Sequence, residues 1–165
     1  MTANEILDKL LRSFQVYYNV TSEEVRPPFV AEAEFHTHDE QFFLVKSAVL
    51  SEAESREYIF FALEEYLDDA LLMRLDKAAW EHGLERVNPH KDHRNTDVAL
   101  FIVAEKISEE AFKMIPKLRH YRSYHFGLQG WSHYRLVAIE QSSGRAVYNR
   151  FGRSYKKLIC NILKP

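Results

Sequence analysis

Residues 97–106, DVALFIVAEK, limit the fold of this chain more than any other stretch. Positions 98–104 are all apolar. A run this short and this rich in β-branched and aromatic residues reads as a strand. With no polar side to turn toward water, the strand belongs near the middle of a sheet, with neighbours beside it and cover above and below.

The rest of the chain supplies those neighbours. Ile6, Leu7, Leu10, Leu11 and Phe14 follow the i, i+3, i+4 spacing of an amphipathic helix beginning at Asn4. Pro27 and Pro28 then force an extended entry. In residues 29–38, Phe29, Ala31, Ala33 and Phe35 alternate with Glu32, Glu34 and His36, which predicts a half-buried strand. A turn at 39–41 leads to a second strand over 42–50, and the β-branched and aromatic content of EYIFFALEE, 57–65, favours a third strand over the alternative of a helix. A helix is expected over 67–83, with Asp68 and Asp69 in its first turn, Gly83 as its C-terminal cap, and Leu71, Leu72, Leu75, Ala79 and Trp80 on its buried stripe. Ser108 caps another helix that Pro116 limits. Residues 134–141 and 146–151 form a hairpin around Ser142-Ser143-Gly144-Arg145, and Ser154 opens a last short helix. The expectation is a single α+β domain, 1–165, in the order α-β-β-β-α-β-α-β-β-α. Its mixed β-sheet comprises a three-strand meander, one further strand and a C-terminal hairpin, with helices packed on it.

Eleven Phe, nine Tyr and two Trp give a 165-residue chain ample material for one core. No run approaches 18 apolar residues, so no membrane span and no membrane partner are expected. The first residues, MTANEILDKLLRSF, carry Glu5 and Asp8 and do not read as a secretory signal. Cys160 is the single cysteine, which suits a reducing compartment, so a cytoplasmic location is expected. Its apolar setting, LICNIL, predicts a buried, inert thiol. Residues 113–165 hold eleven Lys/Arg against the one acid Glu140, a formal +10 that leaves −12 on the residues before them. Either the two parts neutralise each other within the domain, or the basic part meets an anionic partner.

Three groups of residues resemble sites. In NPHKDHRNTD, 88–97, His90, His93 and Asp92 could begin a divalent-metal site, with His82, His36 or His38 as further ligand and Asp97 nearby. The competing and preferred reading is a polar loop that ends a helix before the central strand. Glu32, Glu34 and Lys46 resemble the strand residues with which nucleases hold Mg²⁺. No strand, however, carries the (D/E)-x-K pair that chemistry needs, and the adjacent Glu105 and Lys106 point to opposite faces. In KLRHYRSYHFGLQGWSHYR, 117–135, Arg119, Arg122, His125, Trp131 and Arg135 alternate with further aromatics, a pattern able to bind an anion or single-stranded nucleic acid. Gly127 and Gly130 allow positive φ there. The structural alternative is a crossover whose aromatics fill the core. Cys160, Ser123 and Ser132 lie in no nucleophile context.

The loop Pro89, His90, His93, Thr96 and the segment Arg122, Ser123, Tyr124, Phe126, Gly127, Gly130, Trp131 resemble the PHxxHxxT and basic-Ser-aromatic-x-Phe-Gly-x-x-Gly-Trp patterns of a family. That family consists of small, uncharacterised bacterial cytoplasmic proteins. The resemblance spans nearly the whole chain and implies no activity. With no complete catalytic constellation and with the charge split between the two parts, the preferred expectation is a non-enzymatic binding or interaction domain, whose partner is a protein, a second copy, a nucleic acid or another anion. The alternative is a metal-dependent hydrolase or nuclease using the His90/His93 loop.

Overall fold

The computed structural model describes residues 1–36, 54–89 and 93–165. The strand expected over 42–50, together with His38, Lys46, His90 and Asp92, lies outside them. Among the described residues the order is α1 (Ala3–Phe14), β1 (Asn19–Thr21), β2 (Ala31–His36), β3 (Glu54–Leu67), α2 (Asp69–Glu85), β4 (His93–Ile107), α3 (Glu109–Met114), β5 (Tyr121–Ser123), β6 (Trp131–Glu140), β7 (Arg145–Tyr148) and α4 (Lys156–Ile162). The strands form one mixed sheet in the order β1-β2-β3-β4-β6-β5, with β7 also paired to β6. The fold is α+β, as expected.

β4 lies at the centre, parallel to β3 on one side and to β6 on the other. Its residues alternate between two cores. Val98, Leu100 and Ile102 face Leu72, Leu75 and Ala79 of α2 and Ala111 of α3. Ala99, Phe101 and Val103 face Ile6, Leu10 and Phe14 of α1 and Ile159 and Ile162 of α4. A strand covered on both faces needs apolar residues at every position, which explains the unbroken run 98–104.

Of the three helix caps the sequence marks only Ser108 as one: it starts the first helix at Asn4 and sets Asp68 within the first turn of the second, whereas α1 is capped by Thr2 and α2 by Asp68. Thr2 accepts from Glu5 N–H at 3.2 Å, while Glu5 reaches back to Thr2 N–H at 2.7 Å. Asp68 accepts from Leu71 N–H at 2.7 Å, and Ser108 from Ala111 N–H at 3.1 Å. Three expectations need correction. Gly83 is no cap: α2 runs on to Glu85, and a Cβ at Gly83 would collide with both methyls of Val98. Its missing side chain lets α2 lie close against β4. Ser154 does not cap α4; its Oγ donates to Phe151 O at 3.0 Å within a 3₁₀ turn, Gly152–Tyr155, that precedes the helix. Cys160 is exposed, because α4 buries Ile159 and Ile162 and the next residue after Ile159 turns about 100° away.

His82 sits inside the α2 core, 8% exposed, against the rings of Phe29 and Phe60 at 5.5 and 5.9 Å. Burial pushes its pKa below the ordinary 6.5. The unfolded chain then takes up this proton more readily than the native state does. The contribution of His82 is fully present above pH 6.5 and is lost as pH falls toward the lowered native value. Replacing His82 with Phe keeps the ring contacts and removes the proton site. Thermal melts across pH should show the variant losing less stability than the wild type below pH 6.5.

Candidate functional site

β5 and β6 form an antiparallel hairpin, with Tyr121 opposite His133 and Ser123 opposite Trp131. Its tip closes through Tyr124 N–H to Gly130 O at 2.9 Å, Gly127 N–H to Tyr124 O at 3.0 Å and Leu128 N–H to His125 O at 2.9 Å. Gly127 and Gly130 take the expected positive φ, 87° and 84°. So do His125 at 47° and Phe126 at 54°. A left-handed conformation costs a side-chain-bearing residue about 1–2 kcal/mol. The tip carries that strain at two adjacent positions and turns Phe126 and Leu128 into solvent, 104% and 80% exposed.

His93 braces the tip from β4. Its Nδ1–H donates to Gln129 O at 2.6 Å, which leaves Nε2 to accept from the Thr96 hydroxyl at 2.8 Å. The His93 ring also stands edge-on to Tyr124 at 5.8 Å, and the Tyr124 hydroxyl meets Ser132 Oγ at 3.0 Å. The two motifs of the sequence therefore meet, with His93 as a structural brace. Both of its nitrogens are engaged, so a metal would have to displace one of these bonds. His82, a candidate further ligand, lies within the core. Among the described residues no three His, Cys, Asp or Glu side chains are grouped to hold a metal ion.

Beside the tip, Leu84, Val87 and Pro89 form one wall of a cleft of about 410 Å³, and Arg122, Ser123, Tyr124 and His125 form the other. The Arg122 guanidinium lies 5.7 Å from the Tyr124 ring centre. A second basic segment is drawn up to this hairpin by Asn149, which is 1% exposed. Its Nδ2 donates to Leu118 O at 3.0 Å and Tyr134 O at 3.1 Å, while its Oδ1 accepts from Leu136 N–H at 2.9 Å and Gly152 N–H at 2.8 Å. His133 completes the join, with Tyr121 5.2 Å away and Phe151 4.6 Å away. Lys117, Arg119, Arg122, Arg150 and Arg153 are all exposed. None of them takes part in an ion pair among the described residues. Tyr121 and Phe151 lie among them, 61% and 40% exposed.

A family model for a domain of unknown function (DUF8052) matches residues 2–161. The chain belongs to this family. No curated protein and no solved structure matches it. The DUF8052 match takes in every strand of the sheet and nearly all of α4, so the hairpin, the cleft and the Asn149 join all lie within the family's domain.

Of the five residues expected at an anion site in this DUF8052 chain, Arg119, Arg122 and His125 are exposed on the hairpin side, and Trp131 is half-buried at the start of β6. Arg135 is withdrawn. It pairs with Asp97 at 2.9 Å and Glu57 at 3.4 Å on the face covered by α1 and α4. Glu57 also accepts from the Tyr18 hydroxyl at 2.8 Å and from the Tyr155 hydroxyl. Burial, reinforced by the Glu57 charge, holds the pKa of both phenols well above the usual tyrosine value. Burial opposes the charge on Arg135, but the Glu57 and Asp97 carboxylates outweigh it and keep the guanidinium charged. Arg145 is neutralised in the same way by Glu140 at 3.0 Å and Glu109 at 3.6 Å. Neutralisation between the acidic and basic parts thus occurs at Arg135 and, through Glu109, at Arg145, whose nearer partner Glu140 belongs to the basic part itself, while Lys117, Arg119 and Arg122 pair with no acid among the described residues. Glu32 is paired with Arg86 at 2.7 Å.

On the α2 face, buried Asp76 accepts from His120 Nε2 at 2.7 Å, and the His120 ring stacks on Trp80 at 5.1 Å. This contact fixes the chain just before β5. Sequence reasoning does not single out Arg150, Phe151, Arg153 or Asn149. The signal that could have found them is NRFGR, 149–153, a basic-aromatic alternation like that of 117–126.

Proposed function

We propose that the domain is a non-enzymatic binding module whose contact surface is the β5–β6 hairpin with the adjoining 149–153 segment, and whose partner carries negative charge. The observation behind this reading is the convergence of two basic-aromatic segments, distant in sequence, with five exposed cations that have no ion-pair partner among the described residues. Unneutralised cations on one surface attract anions over distances near the Debye length, about 8 Å at physiological salt, and exposed aromatic faces add contact area. Ion pairing elsewhere in the chain supports the same reading, because Arg135 and Arg145 show that carboxylates are supplied where neutralisation serves the fold.

Chromatography on heparin tests this. The full chain should bind at low salt and elute as salt rises. An Arg122→Glu/Arg150→Glu double variant should elute clearly earlier, whereas Arg12→Glu, on the exposed side of α1, should elute close to the wild type. A wild-type protein that passes through at about 50 mM salt would remove the proposal.

A further inference from the structure

We infer that the anionic partner is a lipid surface, and that the β5–β6 tip dips into it while the flanking cations meet the headgroup phosphates. This rests on the anionic-partner reading above. The tip has the layered chemistry that an interface requires. At its apex Phe126 and Leu128 are 104% and 80% exposed, on either side of Gly127, around which a side chain would meet nothing within 4 Å. The apex therefore projects into open space. Behind it come Arg122, Arg119 and Lys117, all exposed, and residues 111–139 contain no Asp or Glu. Apolar apex and basic collar match the order of acyl boundary and anionic headgroup.

The apex is also built to stay in place. Its backbone bonds, the His93 brace and the left-handed turn at His125 and Phe126 hold the two side chains outward. A convex apolar point suits a deformable surface: the Phe126 ring alone could stack on a base, but Leu128 beside it has no ring face and finds its use in an acyl layer. No described helix is long and apolar enough to cross a membrane. That fact concerns crossing, as does the lack of a long apolar run behind the expectation of no membrane partner; a lipid contact departs from that expectation, because it lies on one side.

The test is sedimentation of the full chain with vesicles of phosphatidylcholine, with and without phosphatidylglycerol, run beside the heparin assay. The wild type should sediment with the anionic vesicles and stay in solution with the neutral ones. A Phe126→Ser/Leu128→Ser variant should lose about tenfold in vesicle affinity yet keep its heparin elution, since only the apolar contact is removed. Arg119→Glu/Arg122→Glu should lose both. All the substituted side chains are solvent-exposed, and circular dichroism melts check that each variant folds. Heparin retention without sedimentation on anionic vesicles overturns the lipid inference and leaves the anionic-partner reading standing. So does a tip variant that sediments like the wild type. Loss of both assays in the wild type overturns both.

Discussion

Replacing Asn149 with alanine is expected to lower stability by about 4 kcal/mol, a large effect for a single uncharged side chain. The amide makes four hydrogen bonds, three of them buried and the one to Leu118 part-buried, two as donor and two as acceptor, and all four partners are backbone groups. At about 1 kcal/mol each their loss is already large, and three of the partners left behind are buried where water does not replace the bond. Asn149→Asp is no rescue. It keeps the acceptor for Leu136 and Gly152, but sets a carboxylate oxygen against the carbonyls of Leu118 and Tyr134. Urea unfolding should show both variants with sharply lower midpoints. A shift worth less than about 1 kcal/mol would mean that the four bonds do not act together. Because the same amide ties residue 118 to residues 149–152, heparin retention should weaken along with stability.

The second large effect is expected at Arg135. Substitution by Met keeps the length of the side chain and removes the cation that, among the described residues, pairs with Glu57 and Asp97, which are 8% and 7% exposed. Glu57 would keep its two tyrosine donors. Among the described residues Asp97 would keep none, because Oδ1 has no partner there and Oδ2 relies on Arg135. Breaking a buried pair from one side costs about 3–5 kcal/mol. Adding Asp97→Leu to Arg135→Met should recover part of the loss, since the stranded charge goes with it. A double-mutant cycle from urea unfolding measures the coupling, and additive losses at the two positions would contradict the pairing.

Much of the scaffold could be read from sequence because local chemistry decided it. Ser108 caps α3 as expected, Asp68 and Asp69 mark the start of α2, and the unbroken apolar run 98–104 became the two faces of β4. What escaped depended on partners. β4 starts at His93, inside the expected loop, because β3 and β6 offer ladder bonds from Glu54 and Trp131 onward. β1 and β5 are three residues each, too short to show a period, and exist only through β2 and β6. Gly83 reads as a helix stop until Val98 is seen packed against it.

The site was legible by composition and not by geometry. KLRHYRSYHFG announced cations and aromatics, but nothing in the residue types tells that Arg135 turns inward while Arg122 stays out. That split follows from strand alternation, which places Arg135 on the face that carries Glu57 and Asp97. Nor do His125 and Phe126 announce a left-handed turn by themselves, since side-chain-bearing residues adopt it uncommonly. The meeting of 117–122 with 149–153 is a tertiary fact, made by one amide and one imidazole.

The salt dependence of heparin affinity in the wild type, Arg122→Ala, Arg150→Ala and the double variant shows whether the hairpin and residues 149–153 bind an anion as one surface. Arg122 and Arg150 are far apart in sequence and contact the same anion only if the Asn149 join builds one surface. Each single variant should bind more weakly with a shallower dependence on salt, and the double variant should be shallower again. Wild-type dependence in all three variants, or an equal loss in Arg12→Ala, would contradict that single surface.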